Sequence, residues 1–231
     1  MADHGKHIRS AFDAALDALK NDVLMMSSLT ERLFDNAMEG LLARNGDLCN
    51  QSVADDEEID LLEKQIDRVG VDLLIRFHPV ASDMRQVIST MKLSANLERV
   101  ADEAVAIARR ARKLNVEPAM AEVALLEPLF GEAKSMLRDG LHAFIEGDVG
   151  LARQLKPRDR HLDRLNSDLN EALTRKMAAK PEAIPGYLSL LFVARSLERI
   201  GDHATNIAEE AIWAKQAEDI RHTYGSRPVA G

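Results

Sequence analysis

Eight acidic residues fall into four pairs at one spacing. Glu98 and Asp102, Glu198 and Asp202, Asp56 and Asp60, and Asp159 and Asp163 each set a carboxylate four residues before an aspartate. On a helix, residues i and i+4 stand on one face, one turn apart. Two carboxylates so placed repel, which costs an isolated helix a few tenths of a kcal/mol. Beside an apolar seam they are more expensive, unless a cation or hydrogen-bond donors meet them. Oxygen-rich clusters are also what hard or borderline cations such as Mg, Mn, Ca and Fe bind. The spacing leaves two chemistries open: a solvated acidic face, or ligands converging on a metal.

Spacing alone is common. Composition yields about three acid-x-x-x-Asp matches from 38 acids, and the chain has seven. Asp13/Asp17, Glu31/Asp35 and Glu63/Asp67 are the others. What separates the four pairs is where they recur. LERVADEAVAIA, Leu97 to Ala108, returns as LERIGDHATNIA, Leu197 to Ala208, with seven of twelve residues identical at an offset of 100. Asp56 and Asp60, continued by Glu63 and Asp67, match Asp159 and Asp163, continued by Asn166 and Asn170, at an offset of 103. If the helices carrying them run antiparallel, four carboxylates per repeat converge on one surface.

The neighbours read more plainly. Arg99 and Arg199 follow the glutamates and suit surface ion pairs. His203 sits beside Asp202 but is matched by Glu103 in the first repeat, so it reads as a satisfied or solvent-facing histidine rather than a ligand. Arg109, Arg110, Arg112 and Lys113 close a helix, where cations complement the dipole; a contact patch for an acidic partner is the other use of such a cluster.

The elements that must position these residues are helices. Hydrophobic residues make up 46% of the 231 and aromatics only 4%, so Leu, Ala, Ile, Val and Met carry the core, beside abundant Glu, Lys and Arg. Proline and glycine punctuate six helical runs: about 8–43, closed by Asn45-Gly46-Asp47; about 48–77, closed by His78-Pro79; 79 or 80 to about 114, stopped by Glu117-Pro118; about 119–146, closed by Gly147-Asp148; about 149–179, before Lys180-Pro181; and about 184–217. Pro128 and Pro157 fall near helix starts or at kinks.

The same order of helix, turn, helix, Pro turn, helix occurs twice. The predicted fold is therefore all-α, two tandem three-helix bundles related by an internal repeat, with antiparallel neighbours and short loops. Residues 1–115 form the first unit, 116–217 the second, and 218–231 a polar C-terminal tail. Leu97, Ala101, Ala104, Ala108 and Ala111 line one face of the third helix, and Leu197, Gly201, Ala204, Ala208 and Ala211 repeat it on the sixth. Ile59, Leu62, Ile66, Val69 and Leu73, with Leu162, Leu165, Leu169 and Ala172, are the facing stripes on helices two and five.

Several classes are set aside. The net charge of −8 is spread over both halves, without the basic stripe that nucleic acid requires. No apolar run approaches the ~18 residues of a membrane span. MADHGKHIRSAFDAAL lacks the apolar core of a secretory signal. The lone Cys49 excludes an intrachain disulfide and suits a reducing compartment. There is no Gly-rich phosphate loop, no HExxH, no Glu-x-x-His and no nucleophile triad, so no enzyme is expected.

The repeated LERxxDxAxxIA, and LERIGDHATNIAEE above all, resembles the signature of the PhoU family of phosphate-transport accessory proteins. FHPVASDMRQVIS, Phe77 to Ser89, and HIRSAFDAALDAL near the N-terminus resemble further family segments, and the likeness covers the chain to about Ala217. It implies that Glu98/Asp102 and Glu198/Asp202 are acidic metal motifs, with Asp56/Asp60 and Asp159/Asp163 as their partners. The metal implied is iron, zinc, manganese or magnesium. Where the family has glycine, histidine and asparagine, the first repeat has Ala101, Glu103 and Ala106; the second keeps Gly201, His203 and Asn206, so the likeness points more strongly to the second.

The role implied is non-enzymatic. Such a protein would be a cytoplasmic adaptor, usually dimeric, peripheral to the inner membrane through its partners. Those partners would be the phosphate transporter's ATPase subunit and a membrane sensor histidine kinase. It would restrain the phosphate-starvation response when phosphate is plentiful. Two other readings compete: a histidine phosphotransfer module using His203 or His161, and a metal-free helical scaffold.

Overall fold

The computed structural model describes residues 2–221, with side chains from Arg9 onward. They form six α-helices: α1 (Ala2–Leu42), α2 (Gly46–Phe77), α3 (Ala81–Val116), α4 (Glu127–Glu146), α5 (Val149–Ala179) and α6 (Ile184–Gln216). Two short 3-10 helices, Ala121–Leu126 and Pro181–Ala183, precede α4 and α6. There is no strand among the described residues.

The turn residues do what their chemistry allows. The Asn45 side chain accepts from the amides of Asp47 and Leu48 at 3.0 and 3.3 Å and so caps α2, as the Asp148 side chain caps α5 through the Leu151 amide at 3.0 Å. Both satisfy amides that the first helical turn leaves unbonded. Gly147, at φ +68°, closes α4 in the left-handed region that glycine enters without strain.

Two expectations shift. The fourth helix begins at Glu127, not near residue 119, because the chain after Pro118 winds as a 3-10 helix through Leu126. Pro128 then occupies the first α-turn, where its missing amide has no bond to lose. Pro157 lies inside α5, which continues through it, at the cost of one backbone bond.

α1, α2 and α3 pack on one another, as do α4, α5 and α6, and α3 packs against α6 as extensively as within its own bundle. The stripes identified from periodicity are the core: Leu97, Ala101, Ala104, Ala108 and Ala111 are buried, and so are Leu197, Gly201, Ala204, Ala208 and Ala211. Small residues there admit close neighbours. Leu162 of α5 occupies the space that a side chain on Gly201 would take, and the carbonyl of Ala204 occupies that of Gly140 on α4.

Along the α3–α6 seam residue numbers rise on one helix as they fall on the other. Glu103 meets Arg199 at 2.8 Å, and Lys92 binds both oxygens of Glu210 at 3.0 and 3.1 Å while lying 4.7 Å from the Trp213 ring centre. Glu210 is buried, with 7% of its surface exposed. Lys92→Met would leave that carboxylate unpaired, and breaking such a pair costs far more than the pair itself is worth. Because Lys92 is half-exposed, the expected loss is ~2 kcal/mol in denaturant unfolding, recovered in large part by adding Glu210→Gln. A double variant no more stable than the single would show that the packing, not the charge, was lost.

Candidate metal centre

The pairs on α5 and α6 come together as one electrostatic unit. Glu198 and Asp202 lie one turn apart on α6 and face Asp159 and Asp163 of α5. Asp202 is exposed, yet desolvation by the helices around it raises its carboxyl, and the carboxylates of Asp159, Glu198 and Asp163 add to it, lifting it to about 6. Asp159 is raised by burial first and then by Asp163, while the Thr205 hydroxyl works against the shift. Among the described residues no lysine or arginine nitrogen lies within 4.0 Å of Asp159, Asp163 or Asp202. Arg199 follows Glu198 in sequence but crosses the seam to Glu103 instead. Glu198 is met by an amide: Asn166 Nδ2 donates to it at 2.8 Å. Asn166 is itself buried, and its Oδ1 has no partner.

In the first bundle the corresponding unit has two more acids, Glu63 and Asp67 standing where the second has Asn166 and Asn170, and is partly neutralised. Burial raises Glu98, helped by Asp102, Glu63 and Asp60 and opposed by Arg99. Arg99 lies back over its own motif, 3.2 Å from Glu98 and 3.7 Å from Asp102. Burial also raises Asp56, with Asp60 and Asp102 adding, and Glu63, with Asp67 and Asp60 adding. All eight acids singled out from spacing thus fall into two clusters, one on α2–α3 and one on α5–α6. The clusters share an edge. A cleft of about 730 Å³ on the seam is lined by Asp102 from one, Asp159 and Asp202 from the other, and Arg99, Arg199 and His203 between them.

His203 belongs to this seam. Its Nδ1 lies 3.1 Å from Asn96 Oδ1, which also accepts from Asn206 Nδ2 at 3.4 Å. Burial holds its pKa below the ordinary histidine value, against the pull of Glu103. His161 is exposed on α5.

Sequence reasoning overlooked the functional weight of Asn166, Thr205 and Asn96. Asn166 could have been found, because at the 103-residue offset it stands where the first repeat has Glu63. One repeat thus sets a glutamate, and the other a donating amide, beside the motif's own glutamate. Asn96 and Thr205 carry no spacing signal.

The donor chemistry fits a hard cation: carboxylates clustered, Asp202 and Asp159 raised by burial and then by their acidic neighbours, with an orphaned buried amide oxygen beside them. Preformed geometry is another matter. Among the described residues no three His, Cys, Asp or Glu side chains stand ready to hold a metal. The carboxylates share a surface without converging on a point, so the side chains would have to close on an ion.

Comparison with known proteins bears on the whole chain. A family model described as "PhoU domain" matches twice, over residues 23–111 and 126–211. The phosphate-specific transport system accessory protein PhoU homolog of Pseudomonas putida is 36% identical over 217 residues, spanning 94% of this chain and 85% of that protein. The phosphate-specific transport system accessory protein PhoU of Escherichia coli K12 is 31% identical over 220 residues, spanning 95% and 91%. The crystal structure of PhoU from Pseudomonas aeruginosa superposes with a TM-score of 0.87 at 34% identity, covering 90% of this chain and all of that one. The phosphate transport system regulatory protein PhoU from Streptococcus pneumoniae follows at 0.83 and 27% identity, covering 90% and 99%.

Proposed function

The chain belongs to the PhoU family, and from that premise we propose that it is a non-enzymatic regulator of phosphate uptake whose two acidic clusters take up a metal ion. It works in the cytoplasm as an adaptor between the phosphate transporter's ATPase subunit and a membrane sensor histidine kinase, and restrains the phosphate-starvation response. No helix among the described residues is long and apolar enough to cross a membrane, so its place at the membrane comes through those partners. A homodimer is the assembly this reading carries.

The observation that bears most weight is the α5–α6 cluster. Four carboxylates share one surface with Asp202 raised to about 6, and the arginine in their own motif is turned to the other bundle. An arrangement that disfavours its own charge is stabilised by a cation. Glu198, Asp202, Asp159 and Asp163 would hold the ion, with Glu98, Asp102, Asp56 and Asp60 as the second set. Magnesium, manganese and iron suit all-oxygen donors; zinc, which more often takes nitrogen or sulfur, suits them less well. A bound ion would supply positive charge between α5 and α6. The chain's own part is to orient the carboxylates: Asn166 fixes Glu198.

Elemental analysis of untagged protein purified without chelator tests the site. The comparison is the variant Glu98→Gln, Asp102→Asn, Glu198→Gln, Asp202→Asn. Stoichiometric metal in the parent and none in the variant is expected. A parent that takes up none after incubation with iron, manganese, magnesium and zinc in turn would remove the metal from this account.

A further inference from the structure

The α3–α6 seam is pseudo-symmetric in sequence, and its two ends are built differently. At the offset of 100 residues Arg110 stands for Glu210 and Phe192 for Lys92. One end is closed: Lys92 pairs with Glu210, and Asn96 meets both His203 and Asn206. At the other end Ser196 replaces Asn96 and Ala106 replaces Asn206. Two short side chains now face each other where two amides bonded, and a groove of about 400 Å³ opens between α3 and α6. Its lining includes Phe192, 48% exposed, with the Arg110 guanidinium 4.0 Å from its ring centre.

The charge of this groove is unlike that of the chain. Arg195 and Arg199 rim it together with Arg110, and Lys113 extends the row one turn along α3. Of the two acids in the lining, Glu103 pairs with Arg199 within the groove, and Asp102 lies 3.7 Å from Arg99 outside it, which leaves Arg110 and Arg195 as the lining's cations without a carboxylate among the described residues. Among the described residues no carboxylate lies within 4.0 Å of Arg110, Arg195 or Lys113. Leu188, 43% exposed, stands one turn before Phe192 on the same face. Cations surround an aromatic floor in a protein of net charge −8.

We propose that this groove docks an acidic segment of a partner protein, one that lays an aromatic or aliphatic side chain on Phe192 and Leu188 and sets carboxylates against Arg110, Arg195 and Lys113. Buried aromatic contacts supply the anchor and the arginines the selection among partners. The occupant is a peptide rather than a lipid surface, because the apolar floor is recessed between two helices where a flat layer does not reach. It is not free phosphate, which offers nothing to lay on Phe192 and Leu188. The inference stands on the seam alone and goes beyond the regulatory reading above; it needs neither the metal nor the transporter.

The test selects binders to the intact protein from a random peptide display library. The enriched peptides are then synthesised and their affinities measured by fluorescence anisotropy. Acidic sequences carrying an aromatic or aliphatic residue are expected. Their binding should weaken roughly tenfold or more in Arg110→Glu with Arg195→Glu, and in Phe192→Ala. It should be unchanged in Lys64→Glu with Arg68→Glu, which makes the same charge change on exposed positions of α2. Enrichment of neutral or basic peptides, or equal weakening in the α2 variant, would overturn the proposal. So would phosphatidylglycerol vesicles or inorganic phosphate binding the parent and losing to the same groove variants while the peptides do not.

Discussion

Glu198→Gln with Asp202→Asn is expected to stabilise the metal-free protein at neutral pH and to remove the part of its stabilisation by metal that comes from the α5–α6 cluster. The unfolded chain releases the Asp202 proton near 3.8, whereas the folded protein holds it to about 6. Between those values the folded state binds more protons, so folding stability falls as pH rises through the interval and the loss is complete above about 6. A fully buried group shifted this far would cost ~3 kcal/mol. Asp202 keeps an exposed edge, and solvent screening brings the figure to ~1 kcal/mol. Removing both charges removes that cost, so the variant should unfold at higher denaturant than the parent at pH 7.5 and at the same denaturant near pH 4. Metal reverses the ranking. An ion held between α5 and α6 at a hundredfold its dissociation constant stabilises the parent by ~2.7 kcal/mol, a share the variant loses while the α2–α3 cluster contributes equally to both. Chemical denaturation at the two pH values, with chelator and then with manganese, reads every arm. A variant that responds to metal as the parent does would remove Glu198 and Asp202 from the ligand set.

Gly140→Val should be the most damaging single change on the inner face of α4. A Cβ there meets the carbonyl oxygen of Ala204 at 2.8 Å, and that oxygen belongs to the backbone of α6, which cannot turn aside as a side chain can. Valine adds two further methyl groups against Leu155, 3.2 Å from the same Cβ position. Over-packing a close helix crossing costs ~3 kcal/mol, or ~10 °C in Tm for a chain of this size. Gly131 on the same helix is the internal control, with nothing within 4 Å of its Cβ position. Gly131→Ala should raise stability by ~1 kcal/mol through helix propensity alone. If Gly140→Val unfolds at the parental temperature, α4 and α6 do not approach as closely as described.

Much of this was legible in the chain. The Asn45 and Asp148 turns, the His78-Pro79 and Glu117-Pro118 stops and the repeated apolar stripes define six helices and which face of each is inward. They do so because proline and capping side chains act locally, within a turn of where they stand. The start of α4 was not legible: nothing in AEVALL distinguishes a 3-10 from an α turn, since both bury Leu126. The acidic clusters were readable as spacing, and the 100- and 103-residue offsets matched Glu98/Asp102 to Glu198/Asp202 and Asp56/Asp60 to Asp159/Asp163. What spacing could not carry is the direction of a long side chain. Arg99 and Arg199 occupy identical places in the two motifs, yet one folds over its own acids and the other crosses to Glu103. That difference is decided by what stands opposite across the seam, and the seam itself is invisible until the bundles are docked. Asn96 was missed for the same reason.

The packing of α3 on α6 also limits how the molecule can move. Their contact is as extensive as those inside each bundle, and the buried residues of both bundles form one cluster. The two halves are therefore not free to swing apart about the 117–126 connection. Relative movement of the halves would have to be shear, with α6 sliding along α3 in small steps. Such sliding would break Lys92–Glu210 and Arg199–Glu103 together, since both pairs are set by one register. One register thus sets both pairs, and a slip of a single turn between the two helices would lose both at once.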